Sequence, residues 1–234
     1  MEPQEYDRWY ETPRGRWIGQ REVEMLVGAL RPRPGESLLD VGCGTGFFTR
    51  KLADQMTGQV VGVDFNREWV EYARRTGAAR ASYAVADARD LPFRKASFDL
   101  VVSITALCFI REEFAAVCEI IRVTRRRFAI GLLNRQSFLW LQKGRQGGHG
   151  GYRGAHWHTV REAKSLLRGF PVQHLRVRTV IQVPTGGGFA QLFEHIWPSS
   201  LPTGAFILVA GDTVEDAVAG ELPTKADGSP VVKS

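Results

Sequence analysis

Seven short apolar runs, separated by stretches of helical spacing, constrain the fold of this chain more than any other feature. They are LLDV (38–41), QVVGVD (59–64), ASYAVAD (81–87), FDLVVS (98–103), RRFAIGLLN (126–134), VQHLRVRTVIQV (172–183) and AFILVAG (205–211). Most are nearly continuous in Val, Leu and Ile rather than alternating. Such runs fit a parallel sheet covered by helices on both faces better than a half-exposed sheet. Helices are expected over 47–56, where Phe48, Leu52 and Met56 share a stripe, over 66–77 and over 111–123. Thr159 opens another, with Glu162 three positions on as a capping box. With 234 residues and 44% hydrophobic content, one large domain is more economical than two small ones.

The rest of the chain reads as connection. Residues 144–156 (GRQGGHGGYRGAH) are glycine-rich and basic, as a loop would be. The segment 184–204 is too long for a tight hairpin and has room for a short helix, and 213–234 reads as a flexible tail. The opening MEPQEYDRWYETPRGR is charged from the start and lacks an apolar signal core. The longest apolar stretch, 98–110, contains Asp99 and is too short to span a bilayer. Cys43, Cys108 and Cys118 form no CxxC pair and leave one thiol over in any disulfide scheme, so a reducing, cytoplasmic setting is expected. A net charge of +6 permits an acidic partner without requiring one.

The first apolar run ends in DVGCGTGFF. Glycines behind a strand let backbone approach a ligand closely, because no Cβ intervenes. A dinucleotide site wants GxGxxG, with the pyrophosphate at the helix N-terminus. Here the third glycine position is Phe47, and Asp40 would repel a diphosphate while favouring a cationic amine. The dinucleotide reading is therefore disfavoured.

Asp40-Val-Gly42-Cys43-Gly44-Thr-Gly46 resembles the first motif of class I S-adenosylmethionine-dependent methyltransferases, close to the small-molecule type of ubiquinone and menaquinone biosynthesis. The resemblance covers roughly 6–135. It implies an α/β fold: a Rossmann-like, seven-stranded, mostly parallel sheet with an antiparallel last strand and helices on both faces. It also implies S-adenosylmethionine as cofactor and S-adenosylhomocysteine as product. Asp64 ends the second run, 22 residues after Gly42, where a carboxylate accepts from both ribose hydroxyls, and Phe65 would cover an adenine face. By the same resemblance Asp87 accepts from the adenine amino group and the Ala88 N–H reaches a ring nitrogen. Ser103, at the tip of the fourth strand, would lie beneath the ligand. The domain spans 35–212, with 1–34 as a helical lid that brings Tyr6 and Trp9 over the cofactor, and with loop 135–158 over the acceptor pocket.

On the acceptor side, HGGYRGAHWHT offers Tyr152 and Trp157 as pocket walls and His156 or His158 as a proton acceptor. The HxH pair lacks carboxylate or thiolate neighbours at ligand spacing, so no metal is expected. SITALCF follows the fourth strand where an exocyclic-amine DNA methyltransferase would carry a Pro-Pro-aromatic motif. No Pro-Cys pair exists for cytosine-C5 chemistry, and a small-molecule methyl acceptor is left as the default. Two alternatives stay open: an RNA methyltransferase using Arg125 to Arg127 and the basic loop as a nucleic-acid patch, and a non-catalytic binder of the cofactor.

Overall fold

The computed structural model describes residues 2–183 and 201–214. Seven strands form one sheet: β1 (Leu38–Val41), β2 (Val60–Asp64), β3 (Ala81–Val85), β4 (Phe98–Ile104), β5 (Thr124–Leu133), β6 (Val172–Val180) and β7 (Phe206–Thr213). Their order is β3-β2-β1-β4-β5-β7-β6. β7 runs antiparallel to both β5 and β6, and the other six are parallel to one another. The mixed sheet is the one expected. Every side chain of β1 is buried, as are those of β4 except Asp99, because helices cover both faces. The helix expected between 184 and 204, and the tail beyond 214, lie outside the described residues.

Six α-helices accompany the strands: α1 (Pro3–Trp9), α2 (Pro13–Leu30), α3 (Phe47–Ala53), α4 (Arg67–Thr76), α5 (Glu113–Val123) and α6 (Val160–Ser165). Their starts follow local chemistry. Thr12 caps α2 by accepting from the Gly15 N–H (3.0 Å), with Pro13 at the first helical position. The Asn66 side chain accepts from the Glu68 N–H (3.0 Å) at the head of α4. The capping box of α6 forms as expected, Thr159 accepting from Glu162 N–H (3.2 Å) and Glu162 from Thr159 N–H (2.7 Å), although the helix stops at Ser165.

The expected lid at 1–34 divides in two. α2 buries Ile18, Val23, Leu26 and Leu30 in the same core as the sheet. Burial of side chains of this size stabilises by roughly 1.5–3 kcal/mol each, which holds α2 against the sheet. α1 lies over both cavities described below, whereas α2 presents only Arg14, Ile18 and Glu22 to one of them. Asp7 ties it down, accepting from the Arg50 guanidinium (2.9 and 2.7 Å), the Thr45 hydroxyl (2.9 Å) and the Tyr72 hydroxyl (3.3 Å).

Candidate active site

A cavity of about 640 Å³ opens at the carboxyl ends of the parallel strands, where open α/β sheets bind ligands. The glycine turn forms its floor. Gly42, Gly44 and Gly46 all have positive φ (76°, 55° and 78°). At Gly42 a Cβ would fall 2.1 Å from the Ala106 Cβ, so the turn and the segment after β4 can approach only with glycine there. The Gly42 and Cys43 N–H groups both donate to the Val63 carbonyl (2.7 and 2.9 Å), locking the turn to β2.

Four carboxylates line this cavity, Asp40, Asp64, Asp87 and Glu112. Asp40 is 1% exposed; its Oδ2 accepts from the Thr49 hydroxyl (2.7 Å), while its buried Oδ1 has no partner. Burial pushes its pKa up to about 7, against the Thr49 hydrogen bond. Asp64 accepts from the Gly44 N–H and the Asn66 N–H (2.8 Å each), and burial raises its pKa despite them. Beyond Asp64 lies Phe65, an aromatic ring 75% exposed at the cavity edge. Asp87 and Ala88 line the opposite wall, with the Asp87 carboxylate held below its ordinary range by hydrogen bonds from Arg89, which also reaches Glu112. Cys43 lines the floor as a buried thiol whose pKa burial pushes well up, which keeps it an inert packing group.

A second cavity of about 530 Å³ adjoins the first, and Tyr6, Phe48, Thr105, Phe109, Gly150 and Gly151 line both. Trp9 and Tyr152 belong to this second chamber alone. Phe47, the residue that displaces a dinucleotide's third glycine, lines the first cavity and stacks on Tyr10, with ring centres 3.7 Å apart.

The match to known families falls on this half of the sheet. Residues 39–127 fit the model of a methyltransferase domain. By that match the segment is a methyltransferase domain. An O-methyltransferase of Penicillium expansum is 37% identical over 113 residues, 46% of this chain and 41% of that protein. An uncharacterised protein of Mycobacterium tuberculosis is 34% identical over 194 residues, 77% of this chain and 62% of that protein. The chain thus spans about half the length of the curated relatives it matches. Among solved structures, an S-adenosylmethionine-dependent methyltransferase of Thermotoga maritima, described as a possible histamine N-methyltransferase, superposes with a TM-score of 0.70 at 21% identity. The match covers 90% of this chain and 96% of that one. At that identity the likeness speaks for the fold. No helix among the described residues is long and apolar enough to cross a membrane.

Several expected site residues of the methyltransferase domain stand elsewhere. Ser103 is fully buried, its hydroxyl unpartnered, and it lines neither cavity; Thr105 and Ala106, just past the strand, line the first instead. The strand runs through Ile104, so Ser103 still points into the sheet's packing. His156 and His158 line neither chamber. His158 is 1% exposed, and its Nε2 meets Glu113 Oε2 at 2.8 Å. His156 is exposed, packs edge-on against His158, and donates its backbone N–H to the Cys108 carbonyl (2.6 Å). Sequence spacing could not show that α5 brings Glu113 to this pair, 45 residues from His158. The three groups offer ligand atoms within 4.8 Å of one another, so α5 supplies the carboxylate neighbour that the sequence around the HxH pair lacks, with the His158–Glu113 hydrogen bond as one of these approaches. Trp157 is buried against Tyr152 rather than lining a chamber.

Half of the expected basic patch is neutralised. Arg125, Arg126 and Arg127 lie inside β5 and pair with Asp99 (2.6 Å), Glu36 (2.6 Å) and Asp212 respectively. Each of these guanidinium groups is committed to a carboxylate, which weakens that part of the patch as a phosphate-binding surface; the basic loop over 144–156 is untouched by these pairs.

One buried acid escaped the sequence reading. Glu22 stands on the buried stripe of α2, in step with Ile18 and Leu26, and is only 8% exposed. The signal was there: a carboxylate at an i, i+4 apolar position breaks the helix's own pattern.

Proposed function

We propose that this chain transfers a methyl group from S-adenosylmethionine to an oxygen of a small-molecule acceptor. The observation that carries the reading is the Asp40 carboxylate, buried in the first cavity with one oxygen unpartnered. A buried carboxylate without a partner is costly, and a cationic ligand removes that cost. The amino acid end of S-adenosylmethionine carries such a cation, and its ribose diol suits Asp64, which keeps acceptor capacity beyond its two backbone N–H bonds. Phe65 gives the adenine an aromatic face. The sulfonium supplies an activated methyl group, so the protein's work is alignment and exclusion of water, which together can supply about 7–11 kcal/mol of a bimolecular barrier. The second chamber is where the acceptor would stand, with α1 as the lid over both ligands. The O-methyltransferase relative of Penicillium expansum supports oxygen as the atom methylated.

The direct test is calorimetric titration with S-adenosylhomocysteine, with NAD as control. Asp64→Ala is expected to weaken S-adenosylhomocysteine by roughly 1.5–3 kcal/mol, the worth of hydrogen bonds to a charged acceptor. Equal affinity in the two proteins would remove Asp64 from the ribose role, and NAD binding without S-adenosylhomocysteine binding would overturn the cofactor.

Affinity should also depend on pH through Asp40. With its pKa near 7 in the free protein, Asp40 is protonated below that pH and must ionise to receive the ligand's ammonium. Binding is therefore expected to strengthen as pH rises from 6 to 8 and to level off above. Asp40→Asn should flatten that dependence; a wild-type profile that is already flat would contradict the assignment.

A further inference from the structure

The second chamber contains a group that neither the fold nor the methyl donor explains. Glu22 lines it, 8% exposed, and no hydrogen bond or ion pair reaches its carboxylate among the described residues. Its helix gains nothing from it, because Gly15, Ile18, Gly19, Val23, Leu26 and Leu30 make the rest of the buried face. The surroundings are aromatic and aliphatic: Trp9, Phe48, Phe109, Leu139 and Phe206 line the same chamber. A carboxylic acid kept unpaired in such a wall is a strong proton acceptor once ionised, since little else satisfies its charge.

We infer that Glu22 is a catalytic residue of the acceptor chamber, taking the proton from a hydroxyl carried on an apolar, ring-bearing acceptor. This rests on the methyltransferase reading above. As the acceptor oxygen forms its bond to the methyl carbon, the carbon–sulfur pair returns to sulfur, leaving a neutral thioether, and the hydroxyl proton passes to Glu22. Phenolic hydroxyls suit the site, because their acidity lies closer to that of a desolvated carboxyl than an aliphatic alcohol's does. The chamber's apolar walls suit the ring. Burial lifts Glu22 to about 8, a value matched to that task; burial also raises Tyr6, Tyr10 and Tyr152, and the Glu22 charge adds to each in the same direction.

Other ionisable groups face the chamber and must be kept apart from Glu22. α1 contributes Glu5, Tyr6 and Arg8, and Tyr10 follows at its C-cap. Arg14 stands on the same helix as Glu22, and the loop after β5 brings Lys143, His149 and Tyr152. A pH effect belongs to Glu22 only if it disappears with the carboxyl while these remain.

The experiment uses the full chain loaded with S-adenosylhomocysteine and two matched ligands, 2-naphthol and 2-methoxynaphthalene, which differ in the hydroxyl. Calorimetry on the wild type should show a preference for 2-naphthol of about tenfold or more, lost in Glu22→Leu with affinity for S-adenosylhomocysteine unchanged. With S-adenosylmethionine kept saturating, so that the pH dependence of donor binding through Asp40 does not enter, formation of 2-methoxynaphthalene should rise with pH towards 8. In Glu22→Gln it should fall by about 10²–10⁴-fold and lose that rise, with the KM for S-adenosylmethionine unaltered. A hydroxyl preference that survives in Glu22→Leu, or a pH rise that survives in Glu22→Gln, overturns the proposal. So does binding of 2-naphthol with no transfer at any pH, and failure of both naphthalenes to bind overturns the acceptor class. Failure of the wild type to bind S-adenosylhomocysteine is a different result, sinking the methyltransferase reading itself.

Discussion

A Gly42→Ala protein should bind S-adenosylhomocysteine at least about a hundredfold more weakly than the wild type, a loss of about 2.7 kcal/mol. Two costs combine. At φ 76° a side chain is in the left-handed region, which penalises a non-glycine residue by about 1–2 kcal/mol. The new methyl would also lie 2.1 Å from the Ala106 Cβ, an overlap that no rotamer relieves because both atoms are fixed to backbone. The turn and the Ala106 segment must then separate, and both line the donor cavity. Overpacking of this kind typically costs about 1–3 kcal/mol. Separation also pulls on the paired Gly42 and Cys43 hydrogen bonds to Val63. The double variant Gly42→Ala, Ala106→Gly makes the diagnosis specific: it removes the overlap but not the φ strain, so it should recover part of the affinity. Full recovery would mean that backbone conformation contributes nothing; no loss in the single variant would mean that the turn does not hold the ligand.

Glu22→Gln should raise the thermal midpoint at pH 8 by more than at pH 5. Burial pushes Glu22 up to about 8 in the folded chain, against 4.5 for an ordinary glutamate carboxyl. A folded-state value above the unfolded one means that the unfolded chain releases its proton first. Between pH 4.5 and 8 the unfolded state therefore holds fewer protons, and stability falls as pH rises, levelling off above 8. This is the reverse of the usual carboxylate, whose stabilisation is lost in acid. Each unit of displacement is worth 1.36 kcal/mol, so the decline attributable to Glu22 is on the order of a few kcal/mol. Glutamine keeps the shape and hydrogen-bonding groups but has no charge to bury. For a chain of this size 1 kcal/mol corresponds to about 2–4 °C. Asp40, also displaced upward by burial, adds a decline of the same sign in both proteins, so the difference between them isolates Glu22. Parallel midpoints at the two pH values would show that Glu22 finds a partner in solution. A gain in stability from losing this acid would mean that the fold retains it at a cost, as a functional group is retained.

The sheet was legible because a buried parallel strand must be apolar on both faces. All seven runs formed strands, and the antiparallel final strand found its place between β5 and β6. The glycine floor of the first cavity was legible for a related reason. Gly42, Asp40 and Asp64 owe their positions to chain-local geometry, a strand end followed by a turn, and local geometry is written in consecutive residues. What the sequence could not carry was partnership across long separations. Arg126 reads as one of three neighbouring cations, but its carboxylate is Glu36, 90 residues away. His158 reads as a free base in a glycine-rich loop, and Glu113 on α5 takes it. Ser103 reads as the tip of its strand, yet one further residue of β4 turns it into the core. Glu22 was visible as a flaw in a helical stripe, but whether that flaw meets solvent, a cation or a chamber depends on what the sheet and α1 bring against it. The sequence by itself therefore determined the sheet and the glycine turn, through periodicity and backbone sterics that act over a few residues. Tertiary structure alone decided which charges are cancelled and which acid is left unpaired, because electrostatic pairing acts through space and ignores the order of the chain.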